Sequence, residues 1–352
     1  MRINQPVNEY GRVLLAHADE TERHDRLAAA GVDALRDSGS LALRTPLEHG
    51  GTWSDAPTVA RRLTELGRAC PSAGWIAGTC ATSKTMTALN HSASARKEFF
   101  ADPDALVCGS GLPSAQGVRE ADGIRVTGRW DNISGSESAE WANLAVMVDG
   151  AYHVAAIPLA DLTVERNWHM AGMRGTGSQR LVADGLLVPA HRVAQSGPPE
   201  PPVQLFFGLC VLAPVVGAAQ GALDVVQDMF ASDRKPFMTS YTHMGDSPGA
   251  RHWLADAASL VNRADTTMLA IAHSGAREDL TEVERAQLRT SLAGAAKDCR
   301  SAVELLLDLH GSSGFRDSNS LQRYWRDVAV GSRHPVLNAY LATEGLGSAL
   351  VA

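Results

Sequence analysis

The chain has 352 residues, 45% of them hydrophobic and 20% charged, with a net charge of −7. That length is enough for one large folded unit of two or three subdomains with a sizeable core. The acidic balance argues against binding to nucleic acid or to an anionic membrane, because both need a basic surface.

Apolar positions three and four apart predict helices over Glu20–Ser38 and Pro57–Cys70. The second opens on a proline, whose missing N–H would be unpaired there in any case. Ala73–Leu89 reads as a third helix rich in small residues, and Ala93–Phe100 as a short fourth. The period then changes. Ala105–Ser110 is a short apolar run, and Val118–Thr127 alternates around an Ala-Asp-Gly turn as a hairpin does. Ala142–Val148 and Tyr152–Pro158 flank Asp149-Gly150, a second hairpin signal, and Leu162–Val164, Leu181–Asp184 and Leu186–Pro189 add short strands. A Pro-rich connector, Ser196–Gln204, leads to helices expected over Leu205–Ser232, Ala250–Ser274, Thr281–His310 and Leu321–Val330, with a short last one near Tyr340.

The uncharged stretch 205–223 is nearly long enough to span a membrane. Its glycines, Pro214 and Gln220, followed by Asp224 and Asp228 at helical spacing, fit a buried helix at the centre of a soluble bundle better. The expected fold is α+β and mostly α. An N-terminal helical domain covers 1–104, a small β-barrel or sandwich 105–195, and a C-terminal four-helix bundle 203–352.

The five cysteines are odd in number and form no CxxC pair, and the first fifteen residues hold no long apolar run of a signal peptide. Both point to a cytoplasmic protein with reduced, buried thiols and neither a zinc site nor a disulfide framework. One short stretch poses a chemical question. GRWDNISGS (128–136) ends a strand in two hydroxyls around a glycine. Buried hydroxyls need partners, so these serines meet either backbone at a β-bulge or the polar edge of a ligand.

Seven segments, in their order and spacing, resemble the acyl-CoA dehydrogenase fold and, within it, the two-component monooxygenases that use reduced flavin. They are PSAGWIAG (71–78), GSGLPSAQG (109–117), GRWDNISGS, WHMAGMRGTGS (168–178), LLVPAHRV (186–193), HGSSGF (310–315) and LQRYWRDV (321–328). The resemblance covers essentially the whole chain. It implies noncovalent reduced flavin, FMN with FAD as the variant, lying between the β domain and the bundle. It also implies a homotetramer, a separate NAD(P)H:flavin reductase, and a flavin C4a-hydroperoxide that hydroxylates a small organic substrate. The chain contains no GxGxxG dinucleotide fingerprint, which agrees with a flavin delivered already reduced.

The same resemblance assigns residues. Ser134 would contact the flavin N5 edge, with Gly135 bringing backbone close to the ring and Ser136 beside it. Trp75 would back the ring, although a tryptophan on an apolar helix is otherwise simply core; Trp130 reads as packing. Thr176 and Ser178 would face a flavin edge or phosphate, or else belong to a tight turn. Arg234 would reach the flavin phosphate of a neighbouring subunit, its rival reading being an exposed helix-end arginine. His310, Gly311 and Gly314 match a loop where backbone approaches the cofactor, against a plain glycine cap.

His334, just beyond the YWRDV helix, is the candidate acid or base. Asn338 lies one turn on and would orient it. Arg326 and Asp327 read as a structural pair, and His91, His153 and His243 as surface or packing residues. Ser83 stands eight residues after Trp75, where phenol-hydroxylating relatives commonly carry a histidine, and Ser110 matches another substrate-side position. The histidine missing at Ser83 counts against simple phenol hydroxylation, and the substrate is expected to be a polycyclic aromatic, an amine or another secondary metabolite, not a CoA ester. A dehydrogenase-like desaturase is the alternative. VGSRHPVLN lacks its catalytic glutamate and Glu344 comes too late, so Glu304 or Asp308 would have to act as base. A redox-silent protein on the same fold is the third reading.

Overall fold

A computed structural model describes residues 7–352 of the chain, apart from 198, 276 and 278. Residues 1–6 of the expected N-terminal domain and Pro198 of the connector therefore lie outside the described residues. Among the described residues six α-helices come first: α1 (Glu9–Ala16), α2 (Ala18–Arg23), α3 (Ala29–Asp37), α4 (Ala56–Ala69), α5 (Pro71–Asn90) and α6 (Ala93–Phe99). The single helix expected over 20–38 is broken in two, because Asp25 adopts a left-handed φ of 51°, which a right-handed helix does not tolerate. The Asp55 side chain caps α4 by accepting the Thr58 N–H, with a proline in the first turn. In α5, Lys84 is fully buried. Its ammonium donates to the carbonyls of Leu41 (2.9 Å) and Pro103 (2.7 Å) and to the Thr45 hydroxyl (3.0 Å).

Seven strands follow: β1 (Val107–Glu120), β2 (Gly123–Ile133), β3 (Trp141–Val148), β4 (Ala151–Pro158), β5 (Thr163–Glu165), β6 (Gln179–Pro189) and β7 (Val193–Gln195). They form one sheet in the order β5-β6-β2-β1-β3-β4-β7. Only β1 and β3 run parallel. Two expectations change here. The runs at 105–110 and near 118 belong to a single strand, β1, whose register shifts between Ser110 and Ala115. The two short strands at 181–184 and 186–189 are also one, β6, which passes through Gly185 at φ 63°.

The C-terminal part comprises α7 (Pro201–Ala231), α8 (Pro248–Ser274), α9 (Glu282–His310), α10 (Ser320–Gly331) and α11 (Ala339–Val351). Among the described residues α7 is the one helix long and apolar enough to cross a membrane, but 78% of its most apolar stretch is buried inside the molecule. It crosses α4 almost backbone to backbone. A Cβ on Gly67 would come within 2.6 Å of the Pro214 carbonyl oxygen, and one on Gly217 within 2.2 Å of the Thr64 carbonyl oxygen. On α5, Gly78 abuts the Cys210 carbonyl in the same way; proline at 214 leaves that carbonyl without its helical N–H donor. Arg68 on α4 clasps Asp224 on α7 with two hydrogen bonds of 2.5 and 2.9 Å. The five cysteines are buried and unpaired.

Candidate active site

Beyond the end of β2, Gly135 turns the chain at φ 78°. Its N–H donates to the Thr176 carbonyl at 2.8 Å. The Ser136 hydroxyl donates to the Gly177 carbonyl at 3.1 Å, so this serine meets backbone. Ser134 meets side chains instead. Its Oγ accepts the Trp75 indole N–H at 3.1 Å and lies 2.8 Å from Ser178 Oγ. Ser178 in turn lies 2.7 Å from Thr176 Oγ1, which donates to the Met173 carbonyl at 2.7 Å. Met173 and Gly177 both have left-handed φ, 54° and 50°, which folds the 173–177 turn tightly enough to bring these hydroxyls together.

Trp75 stands edge-on to His334, with ring centroids 5.6 Å apart and planes at 68°. His334 Nδ1 accepts the Val336 N–H at 3.3 Å, which assigns the proton of the neutral ring to Nε2. Burial holds the imidazole below its ordinary pKa, so the ring is neutral at pH 7. Gly331 keeps this corner open, since a Cβ there would lie 3.3 Å from Trp75 and 2.6 Å from Met173. Asn338 does not reach the imidazole: its Oδ1 caps α11 by accepting the N–H groups of Tyr340 (2.9 Å) and Leu341 (3.3 Å).

Arg326 and Asp327 do not pair with each other, as the sequence suggested. Arg326 bonds Glu22 at 2.6 Å and the Ala171 carbonyl, while Asp327 accepts the Met173 N–H. Together they clamp the turn that carries Thr176 and Ser178. Asp327 is 2% exposed. Desolvation first, then the nearby Glu22 carboxylate, push its carboxyl up to about 7 against the opposing pull of the Met173 N–H, Arg326 and Arg323. An acid whose folded pKa lies above its unfolded value weakens the fold as pH rises from about 4 to about 7. Asp327→Asn keeps an oxygen for the Met173 N–H and removes the titration. Its melting temperature is expected to change less between pH 4 and 7 than that of the parent chain, and parallel profiles for the two would refute this.

Ser83 is buried on α5. A Cβ on Gly109 would lie 2.6 Å from its Oγ, so β1 packs directly over this serine. Ser110, half-buried at the irregularity of β1, accepts the Leu112 N–H at 3.2 Å. His91 and His153 are buried and bond the carbonyls of Arg192 (3.2 Å) and Ala151 (3.0 Å), while His243 is exposed. Glu304 and Asp308 are also exposed, with Glu304 accepting the Trp325 indole N–H; neither offers a base to a buried site.

A second polar site lies past the end of α7. Arg234 bonds the His310 carbonyl, the His310 ring (3.2 Å) and the Ser313 hydroxyl (3.0 Å). A cavity of about 380 Å³ is lined by these three and by Arg316, Ser318, Asn319 and Ser320, with no carboxylate among the described residues. Gly311 caps α9 at φ 72°, and Gly314 is buried against Leu307 and His310. The helix α10 joins this cavity to the first site: Ser320 at its start lines the cavity and Gly331 at its end adjoins Trp75, a span of about 17 Å.

The donor chemistry fits a flavin. A buried row of hydroxyls beside an indole and a neutral imidazole suits the hydrogen-bonding edge of an isoalloxazine, and two guanidiniums among hydroxyls suit a phosphate. The sequence reading missed the role of Asp327 and Met173 and the contribution of Arg316 and Asn319. Its one available signal was the Arg-Asp pair late in an amphipathic helix.

Residues 209–339 match the family described as acyl-CoA dehydrogenase, C-terminal domain. The FADH(2)-dependent resorcinol hydroxylase oxygenase component of Rhizobium sp. (strain MTP-10005) is 28% identical, with 91% of this chain and 87% of that protein covered. The flavin-dependent monooxygenase oxygenase subunit HsaA of Rhodococcus jostii (strain RHA1) is 27% identical, with 91% of each covered. Among solved structures, XiaF from Streptomyces sp. in complex with FADH2 and glycerol is similar with a TM-score of 0.91 and 29% identity, over 98% of this chain and 93% of that one. The order of helices, sheet and bundle agrees with these likenesses, and the chain belongs to the acyl-CoA dehydrogenase superfamily, in its branch of two-component flavin-dependent monooxygenases.

Proposed function

We propose that this chain is the oxygenase component of a two-component system. It takes reduced FMN, or FAD, from a separate NAD(P)H:flavin reductase and uses dioxygen to hydroxylate a small aromatic, polycyclic or amine substrate. The observation that carries the reading is the Trp75–Ser134 hydrogen bond beside a neutral His334, buried in a chain whose relatives are named as oxygenase components. Bound reduced flavin supplies the two electrons that activate dioxygen. The protein's own groups do the rest. Ser134 holds the N5 edge with Gly135 and Ser136 close by, Trp75 backs the ring, and His334 presents an N–H to the reacting oxygen or the substrate. The walls of the site keep water out, and half-buried Ser110 faces the substrate, while Ser83 lies behind β1.

Arg234 and Arg316, with His310 and the backbone of Gly311 and Gly314, hold phosphate. The phosphate of that cavity is proposed to belong to a flavin seated in another copy of the chain within a homotetramer, as the family resemblance implies. Exposed Phe237 and Met238, 90% and 89% accessible just beyond Arg234, supply apolar surface for such a contact. The protein is proposed to act in the cytoplasm, where its free thiols stay reduced.

The test is to mix the chain anaerobically with reduced FMN, add oxygen, and follow the return of the oxidised flavin spectrum. The expected return is slow, and roughly tenfold faster in Ser134→Ala with nearly all oxygen released as hydrogen peroxide, since one hydrogen bond near a charge is worth on that order. Return at the rate of free flavin in the parent chain would refute the proposal.

A further inference from the structure

The row of hydroxyls has a direction that can be counted from its protons. A carbonyl only accepts, so Thr176 uses its one hydroxyl proton on Met173 (2.7 Å). Thr176 must then accept from Ser178 (2.7 Å), and Ser178, its own proton used, must accept from Ser134 (2.8 Å). Ser134 is left with no proton to give. At the other end an indole N–H only donates, and it donates to Ser134 (3.1 Å). The carbonyl end sets the direction, and the indole N–H is compatible with it, filling one of the two Ser134 lone pairs and leaving the other free. Exposure falls along the row from 9% at Trp75 and 6% at Ser134 to 3% at Ser178 and 1% at Thr176, so the open end is at Ser134. The Met173 peptide that ends the row is itself fixed: its N–H goes to Asp327, and its carbonyl also takes the Trp168 indole N–H at 3.1 Å.

We infer that this polarised row presents Ser134 to a bound flavin as a hydrogen-bond acceptor only, so that the site selects the flavin by oxidation state. The inference rests on the flavin reading above. Reduced flavin carries a proton at N5 and can donate it to the free lone pair of Ser134. Oxidised flavin has a lone pair at N5, which would face another lone pair. Ser178 and Thr176 are positioning residues: they never need to touch the flavin, yet they decide which way the Ser134 proton points.

The experiment is equilibrium binding of reduced FMN, measured anaerobically, and of oxidised FMN. The parent chain is expected to hold the reduced form at least roughly tenfold more tightly, about the worth of one hydrogen bond made or left unmade. Ser178→Ala frees the Ser134 proton to turn toward the flavin. It is expected to bind oxidised FMN more tightly than the parent does and to shrink the ratio about tenfold. A gain of affinity on removing a buried group is not what mere damage produces. Thr176→Val cuts the row one place further on and should shift the ratio the same way, which covers the case in which Ser178→Ala does not fold. Thr176→Ser keeps the hydroxyl and should keep the parental ratio. An unchanged ratio in both cutting variants, or equal loss of both flavins in folded protein, would overturn the polarised row and leave the monooxygenase reading standing. No binding of either flavin by the parent chain would overturn both.

Discussion

His334→Ala is expected to lower the rate of product formation by roughly 10²- to 10⁴-fold, the usual contribution of a positioned proton donor or acceptor, while reduced flavin still binds. The expectation follows from the state of the ring. Burial keeps it neutral, and the Val336 N–H occupies Nδ1, so Nε2 carries the proton and the residue enters the reaction as a donor. His334→Asn is the sharper variant. An asparagine oxygen can still accept the Val336 N–H, as it does at helix caps, so the turn survives while the acid is lost. Because burial holds the folded pKa below the ordinary 6.5, the contribution of the neutral ring to stability is full above 6.5 and is lost as pH falls from there through the lower folded pKa, where the folded ring itself becomes charged. Protonation at Nδ1 would break the Val336 hydrogen bond and turn the ring, so any fall in activity at acid pH caused by this histidine should disappear in the asparagine variant. Product formation within about threefold of the parent, well short of the catalytic range, would remove this histidine from the chemistry.

Gly217→Ala is expected to cost about 3 kcal/mol of stability, the upper part of the range for overpacking a tight core. The added methyl would lie 2.2 Å from the Thr64 carbonyl oxygen, 2.7 Å from the Arg68 nitrogen and 2.8 Å from the Gly67 carbonyl carbon. All three are backbone atoms of α4, so no side chain can turn aside. The helices themselves must part, and the Arg68–Asp224 clasp opens with them. Gly294, exposed on α9 with nothing within 4 Å of an added Cβ, is the control. Alanine there should be neutral or add up to about 1 kcal/mol through helix propensity. Urea midpoints of the three proteins decide the matter, and an unshifted midpoint for Gly217→Ala would show that α4 and α7 separate freely.

Much of the architecture could be read from local pattern because local pattern caused it. The burial of α7 followed from its uncharged run, and the β3–β4 hairpin from Asp149-Gly150, both of which take left-handed φ. The failures share a cause of the opposite kind. Asp25 breaks the expected long helix with its carboxylate paired at 2.5 Å to Arg174, 149 residues away. The strand β1 continues through Gly-Leu-Pro-Ser because β3 pairs with it on both sides of that irregularity, a parallel contact that no turn signal announces. Trp75, Ser134, Ser178 and His334 could be named from motifs, but their hydrogen-bond order could not. Asp327 was misread for the same reason, since its partner Met173 lies 154 residues earlier in the chain. Asn338 shows the limit of spacing arguments: one turn from His334 is the right distance for a helper, and equally right for a helix cap.

Lys84 carries a last consequence, for how the N-terminal region opens. Its ammonium exchanges a full hydration shell for three oxygens contributed by the stretch at 41–45 and by Pro103. Lifting either segment alone would strand a cation with too few acceptors and no water yet in reach. The two segments are thereby fused into one breathing unit with the middle of α5. Amide hydrogen exchange is accordingly expected to show the two segments opening together, at one common rate.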